Sequence, residues 1–214
     1  MKMIEAITLM FQQKQLILEA TLQHIFLSVF SVFIGTLIAV PLGIWLTRQK
    51  SLAKPIIAMA GILQTIPSLV LFGLAMPLFG IGLQTGLIVL VLYSILPILQ
   101  NTYTGVREVD NQYKEAAKGM GMSPAQVLFQ IELPIALPVI VAGIRIATVY
   151  IISWATIAAL IGAGGLGDLI FTGLQTYNYQ MILSGALPAC IMAIATGWLI
   201  GAVQKAVTPK GLKQ

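Results

Sequence analysis

The stretch Glu115-Ala116-Ala117-Lys118-Gly119-Met120-Gly121, running on through Ser123-Pro124 to Ile131-Glu132-Leu133-Pro134, decides how the rest is read. It is polar, yet it lies among blocks without any charge. No Asp, Glu, Lys or Arg occurs from Ala20 to Thr47, from Pro55 to Val106, from Ile146 to Gly167 or from Leu169 to Gln204. A membrane span takes roughly 20 apolar residues, so the block from Pro55 to Val106 has length for two. The 214 residues are 58% hydrophobic and 9% charged, with mean hydropathy +0.94. A soluble domain carries about 25% charged residues. These features predict an all-α integral membrane protein, a single domain over 1–214 with five transmembrane helices at about 22–46, 57–79, 86–106, 139–161 and 181–203. A polar connection over about 107–138 separates the third span from the fourth.

Lys and Arg in short loops set orientation. Arg48, Lys50 and Lys54 follow the first span, Arg107, Lys114 and Lys118 the third, and Lys205, Lys210 and Lys213 the fifth; the other side has Lys2 and Lys14. The N-terminus is therefore placed outside and the C-terminus in the cytoplasm. This bias accounts for the net charge of +5 and pI near 9.4 without nucleic acid, for which no basic-aromatic pattern exists. The first apolar run is interrupted by Gln12, Gln13 and Lys14, unlike a cleaved signal peptide, and residues 4–19 suit a helix at the outer interface.

The polar connection reads as two short helices. Asp110 suits an N-cap, and Tyr113, Ala116, Ala117 and Met120 recur at helical spacing before Gly119 and Gly121 end the first helix. Ser123 caps the second and Pro124 takes its first position, with Val127, Leu128, Ile131 and Ile135 as its stripe. Pro134 and Pro138 then predict a break before the fourth span. The result is a helix–turn–helix elbow on the cytoplasmic surface.

Glu-Ala-Ala, three residues, Gly, nine residues, Ile-x-Leu-Pro is filled at Glu115, Ala116, Ala117, Gly121, Ile131, Leu133 and Pro134. This resembles the signature of ABC importer permeases, the binding-protein-dependent permease fold. Further segments resemble the osmoprotectant group, which imports glycine betaine, carnitine or choline. They are Val40-Pro41-Leu42-Gly43, Gln64-Thr65-Ile66-Pro67-Ser68-Leu69, Leu96 to Gly105, Trp154-Ala155-Thr156 and Gly164-Gly165-Leu166-Gly167-Asp168. The tail Val207 to Leu212 is also similar, with Val207 where Leu is common. The resemblance implies a transporter subunit rather than an enzyme. Its partners would be an ATP-binding subunit docked on the elbow, a second permease copy or a paralogue, an external substrate-binding protein and membrane lipid. ATP binding would close the ATP-binding subunits, the elbows would tilt the spans, and hydrolysis would reset them. It also places the Gly164–Asp168 region against the external binding protein, where Asp168 either pairs with a basic residue of that partner or is simply solvated.

Other patterns exclude rival chemistry. Gly162-x-Gly164-x-x-Gly167 fits a dinucleotide fingerprint but lacks a βαβ unit, and is read as a flexible outer turn. No phosphate-binding Gly-x4-Gly-Lys-Ser/Thr loop occurs, so the ATPase is a separate chain. No metal-ligand spacing and no cofactor motif are found. His24, the sole histidine, is read as a packing residue, and Cys190, the sole cysteine, as a small buried apolar one. Arg145 lies just inside the fourth span and is read as a contact with the elbow through Glu132. Gly197-x3-Gly201 would let helices pack closely.

A quaternary ammonium cargo is held by faces of Trp and Tyr. Tyr93, Tyr103, Tyr150 and Trp154 are the aromatics with polar tips in the later spans, and Tyr150 and Trp154 share a helix face. Gln64, Thr65 and Ser68 flank Pro67, which breaks the second span. Gln64, Thr65, Ser68, Tyr93, Tyr150 and Trp154 are thus the candidate translocation path; the alternative is that the aromatics only pack or anchor. Two rival functions stand beside the osmoprotectant reading. One is the same machine carrying methionine or another small solute; the other is a passive channel or membrane enzyme.

Overall fold

The computed structural model describes residues 13–209. Among them every regular element is helical. The order is α1 (Lys14–Arg48), α2 (Lys50–Thr65), α3 (Ser68–Phe79), α4 (Leu83–Arg107), α5 (Asn111–Gly119), α6 (Pro124–Val127), a π-helical turn (Leu128–Glu132), α7 (Leu133–Ala158), a 3-10 turn (Ala159–Ile161), α8 (Leu166–Gln175) and α9 (Tyr179–Val207). Four of these helices are long and apolar enough to cross a membrane, five if the bent pair α2–α3 counts as one span.

Between apolar helices in lipid there is little hydrophobic drive, so close approach through small residues does the work. At Gly43 of α1 a Cβ would sit 2.8 Å from the Thr102 side chain of α4, and Gly35 likewise abuts Ser94. Contact numbers that rise together mean that α1 and α4 run parallel. At Gly143 of α7 a Cβ would lie 2.8 Å from the Pro97 carbonyl of α4, and Gly105 of α4 abuts Val139 of α7, so α4 and α7 are antiparallel. Gly197 and Gly201 of α9 face Val149 and Arg145 of α7, which makes α9 antiparallel to α7. This topology gathers the C-terminal ends of α1, α4 and α9 at the end of the bundle that carries the polar connection. Arg48, Arg107 and Lys205 lie there together.

Several elements differ from the sequence-based expectations. Lys14 to Glu19 continue α1 rather than forming a separate interfacial helix; the rest of the predicted 4–19 segment, with Lys2, lies outside the described residues, as do Lys210, Gly211, Leu212 and Lys213. The second span predicted over 57–79 is two helices that meet at 98°. Pro67 clashes with an α conformation at the preceding residue, and Ile66 is accordingly extended, with ψ 127°.

Pro134 and Pro138 produce no break. Helix continues from Pro124 to Ile161 through the π turn, where the Leu133 N–H reaches back five residues to Leu128 O, so the winding has already left the α pattern where Pro134 lacks its donor. Cys190 is exposed, not buried, because α9 lies at the edge of the bundle. Among the glycines of α9 the tightest approach is at Gly185, where a Cβ would lie 2.7 Å from the Leu166 carbonyl, whereas at Gly197 it would meet Val149 at an ordinary 3.5 Å.

Candidate functional site

The elbow is built by local chemistry. Asp110 accepts from the Gln112 N–H at 2.9 Å and starts α5. At the other end the Gly121 N–H bonds Lys118 O at 2.9 Å and the Met122 N–H bonds Ala117 O at 3.1 Å. This paired closure puts its pivot residue in the left-handed region, and Gly121 has φ +81°. Ser123 and Gln126 then form a reciprocal capping box, with Pro124 at the first helical position.

Glu115 and Ala116 face outward while Ala117 is fully buried, so this motif presents one face and anchors the other. Tyr113, Met120 and Phe129 are also exposed, leaving an apolar surface on the elbow. Ile131 and Leu133 are half-buried and Pro134 is exposed. Ile131 sits in the π turn, whose wider winding the sequence pattern did not foretell.

Beneath α5 a notch of about 280 Å³ is lined by Arg48, Lys114, Lys118, Met122, Pro124, Val127 and Glu132. Glu132 is 1% exposed. Its carboxylate accepts from both terminal nitrogens of Arg48, one at 3.2 Å, and lies 3.8 Å from Lys114 Nζ. The expected Arg145–Glu132 contact does not form. Arg145 instead lies against Gly201 of α9, in a cavity of about 430 Å³ with Trp198 and Lys205.

Higher in the bundle, a second cluster follows from two prolines. Pro97 has no N–H, so the Tyr93 carbonyl one turn back loses its helical donor. Gln64 Nε2 supplies a replacement at 3.1 Å. The extended Ile66 before Pro67 leaves its own carbonyl free, and Tyr93 Oη donates to it at 2.7 Å. Tyr93 therefore ties the kink between α2 and α3 to α4. Its ring centroid lies 4.5 Å from that of Trp154, and Tyr150 lies 5.6 Å from Trp154 on the same face of α7.

A cleft of about 380 Å³ opens beside this cluster, lined by Gln64, Leu96, Pro97, Gln100, Asn101, Thr104, Ile146 and Tyr150. Gln64, Tyr93, Tyr150 and Trp154 are thus brought together. Thr65 is not, since its hydroxyl bonds Ile62 O at 2.7 Å on an exposed surface, and Ser68 does not line the cleft. Tyr103 points elsewhere and carries Arg107. Gln100, Asn101 and Thr104 were missed; their recurrence with Leu96 and Pro97 at helical spacing was the signal.

At the opposite end, the segment read as a flexible turn is held firmly. Gln23 donates to Ala163 O at 3.3 Å and accepts from the Gly165 N–H at 3.1 Å. His24 Nδ1 accepts from the Leu166 N–H at 3.3 Å, so Nε2 carries the proton and donates to Ile152 O at 3.0 Å. His24 is fully buried, a packing residue with both ring nitrogens engaged. Gly162, Gly164 and Gly165 all have positive φ, and side chains of α1 pack on the last two. Asp168 is exposed in the first turn of α8, where partial burial raises its carboxyl above the usual range. Among the described residues no group of three His, Cys, Asp or Glu is placed to hold a metal.

The family described as binding-protein-dependent transport system inner membrane component matches residues 32–211. The choline transport system permease protein OpuBB of Bacillus subtilis (strain 168) is 46% identical over 198 residues, 92% of this chain and 91% of that protein. The carnitine transport permease protein OpuCB of Listeria monocytogenes is 42% identical over 212 residues, 99% of this chain and 97% of that protein. The osmoprotectant import permease protein OsmW of Salmonella typhimurium is 43% identical over 198 residues, 90% of this chain and 92% of that protein. Among solved structures, an inward-facing MetNI methionine ABC transporter matches with TM-score 0.82 at 22% identity, covering 92% of this chain and 99% of that one. At that identity the likeness speaks for the fold alone.

Proposed function

The chain belongs to the family of binding-protein-dependent transport system inner membrane components, and we propose that it is the permease that carries quaternary ammonium osmoprotectants (choline, glycine betaine or carnitine) in an ATP-driven importer. The similarity to permeases named for choline, carnitine and osmoprotectants supports the cargo class. The observation that carries the reading is Tyr150 on the wall of a polar cleft, with Trp154 and the buried Tyr93 packed behind it. A quaternary ammonium ion has no N–H to donate, so aromatic faces hold it better than oxygen acceptors, with about 0.5 to 2 kcal/mol per ring.

The elbow is the docking element for the ATP-binding subunit, through Glu115 and Ala116 outside and Ala117, Gly121, Ile131, Leu133 and Pro134 in its framework. The end bearing Arg48, Arg107 and Lys205 is cytoplasmic, by the basic bias of its loops, and the N-terminus is outside. Gln100, Asn101 and Thr104 border an open cleft on an apolar helix, a costly arrangement against lipid. A second permease copy or paralogue covers that face and leaves a wet path between the two; lipid surrounds the rest. Asp168, exposed at the far end, meets the external binding protein.

The test is reconstitution of the importer with its ATP-binding subunit and binding protein in liposomes. ATP-dependent uptake of at least one quaternary ammonium solute, with methionine a poor competitor, is the expected result. Tyr150→Ala, which removes the aromatic face that lines the cleft, should weaken uptake by about 5- to 30-fold, taking 1 to 2 kcal/mol for the ring. Uptake without ATP, or of methionine alone, would refute the proposal.

A further inference from the structure

We propose that Glu132 is the positioning residue that joins the elbow to the first span, so that α5, the π turn and the end of α1 move as one body during transport. This deepens the function proposed above and rests on it. The motif that defines the elbow leaves this position open, between Ile131 and Leu133, and nothing in the pattern calls for an acid there.

The geometry is specific. A carboxylate buried to 1% exposure in a chain this apolar is retained only with partners. Here the partners come from two separate elements. Arg48, the last residue of α1, engages both carboxylate oxygens, and Lys114, in α5, approaches one of them at 3.8 Å. Glu132 itself closes the π turn that leads into α7. The two-pronged Arg contact fixes an orientation as well as a distance.

The end of α1, α5 and the π turn that leads into α7 therefore meet at one side chain. α5 buries only Ala117 among its nine residues, so it has little other purchase on the bundle. A docked motor pushing on α5 would displace a loosely held helix unless the push is passed on. Through Lys114, Glu132 and Arg48 it reaches α1, which packs along α4 through Gly35 and Gly43. The π turn belongs to this body and is where it joins α7; its extra residue per turn is an irregularity found most often at functional sites.

The experiment uses the whole importer in liposomes, with uptake and ATP hydrolysis measured together. Glu132→Gln removes the charge at constant shape. The expected result is an insertion-competent, assembled transporter whose ATP consumption per solute rises about tenfold, about 1.4 kcal/mol of lost coupling and within the range for residues in one salt-bridge network. Glu132→Asp should recover part of the coupling.

The double variant Arg48→Gln with Glu132→Gln separates the readings. If the carboxylate serves only to neutralise Arg48, removing both charges restores transport and overturns the proposal; a joint stays broken. Arg48→Gln alone, at a side chain 50% exposed, reads the same joint should Glu132→Gln fail to insert, and normal coupling there overturns the proposal.

Spin labels at Gln49→Cys and Lys118→Cys, in a Cys190→Ser background, report the body directly. Their separation should hold constant between nucleotide-free and ATP-trapped states, and change by more than about 2 Å once Glu132 is Gln. A change of that size in the unmodified transporter overturns the proposal. Absence of any ATP-driven uptake by the unmodified importer would sink the function above and this joint with it. Coupled uptake that survives Glu132→Gln would sink the joint alone.

Discussion

Replacing Gly121 by Ala puts a single methyl into a turn that needs positive φ. Nothing lies within 4 Å of the position a Cβ would take, so no clash occurs. The cost is purely conformational. At φ +81° an L-residue pays about 1 to 2 kcal/mol for the left-handed region, which lowers the occupancy of the turn by about 5- to 30-fold. The bonds from Gly121 to Lys118 and from Met122 to Ala117 define that turn, and with it the angle between α5 and α6. ATP-dependent uptake in proteoliposomes, normalised to inserted protein, should fall accordingly, while insertion is unchanged. Gly121→Asn should retain more activity than Gly121→Ala, because Asn tolerates the left-handed region. Gly119→Ala is the control. It is helical, its Cβ also meets nothing, and it should be neutral or better. If Gly121→Ala transports normally, or Gly119→Ala is as damaged, the turn is not what sets the elbow.

Four further variants have outcomes set by the structure. Glu115→Lys alters an exposed side chain and should leave stability within about 0.5 kcal/mol, yet abolish uptake and co-purification with the ATP-binding subunit. Gly143→Ala drives a methyl to 2.8 Å from the Pro97 carbonyl and should destabilise the detergent-solubilised protein by about 1 to 3 kcal/mol; Gly61→Ala, in an open helical position, should stabilise it by up to about 1 kcal/mol, both read from thermal melts. Because burial raises the Asp168 carboxyl, folding favours its protonated form, so stability from this group is present at low pH and lost as pH rises through the raised value. Asp168→Asn should therefore melt higher than the parent at neutral pH and at the same temperature in acid.

The charge-free blocks and the spacing from Glu115 to Pro134 were enough to read the architecture and the elbow, since apolar length and capping residues act locally. Asp110, Ser123, Pro124 and Gly121 each do in the fold what their chemistry foretold. The misreadings concern contacts between distant segments. Glu132 finds Arg48 across 84 positions, which no periodicity announces, and the nearer Arg145 is not its partner. Gln23 and His24 clamp a glycine segment about 140 residues away, so glycines that look mobile in the sequence are held. Pro134 and Pro138 have the chemistry of breakers, yet the π turn just before Pro134 has no simple sequence mark and Pro138 is carried inside α7. The aromatic cluster lay between these cases. Tyr150 and Trp154 were paired by helical spacing, while Tyr93 joined them only through the freed carbonyls at Pro97 and Pro67.

The most direct measurement is electron cryomicroscopy of the importer assembled with its ATP-binding subunit. The helix Asn111–Gly119 should be seated in a groove of that subunit, with Glu115 and Ala116 at the contact and Tyr150 facing the path between two permeases. A map in which that helix touches no nucleotide-hydrolysing chain, or lies on the opposite side of the membrane, would contradict the account.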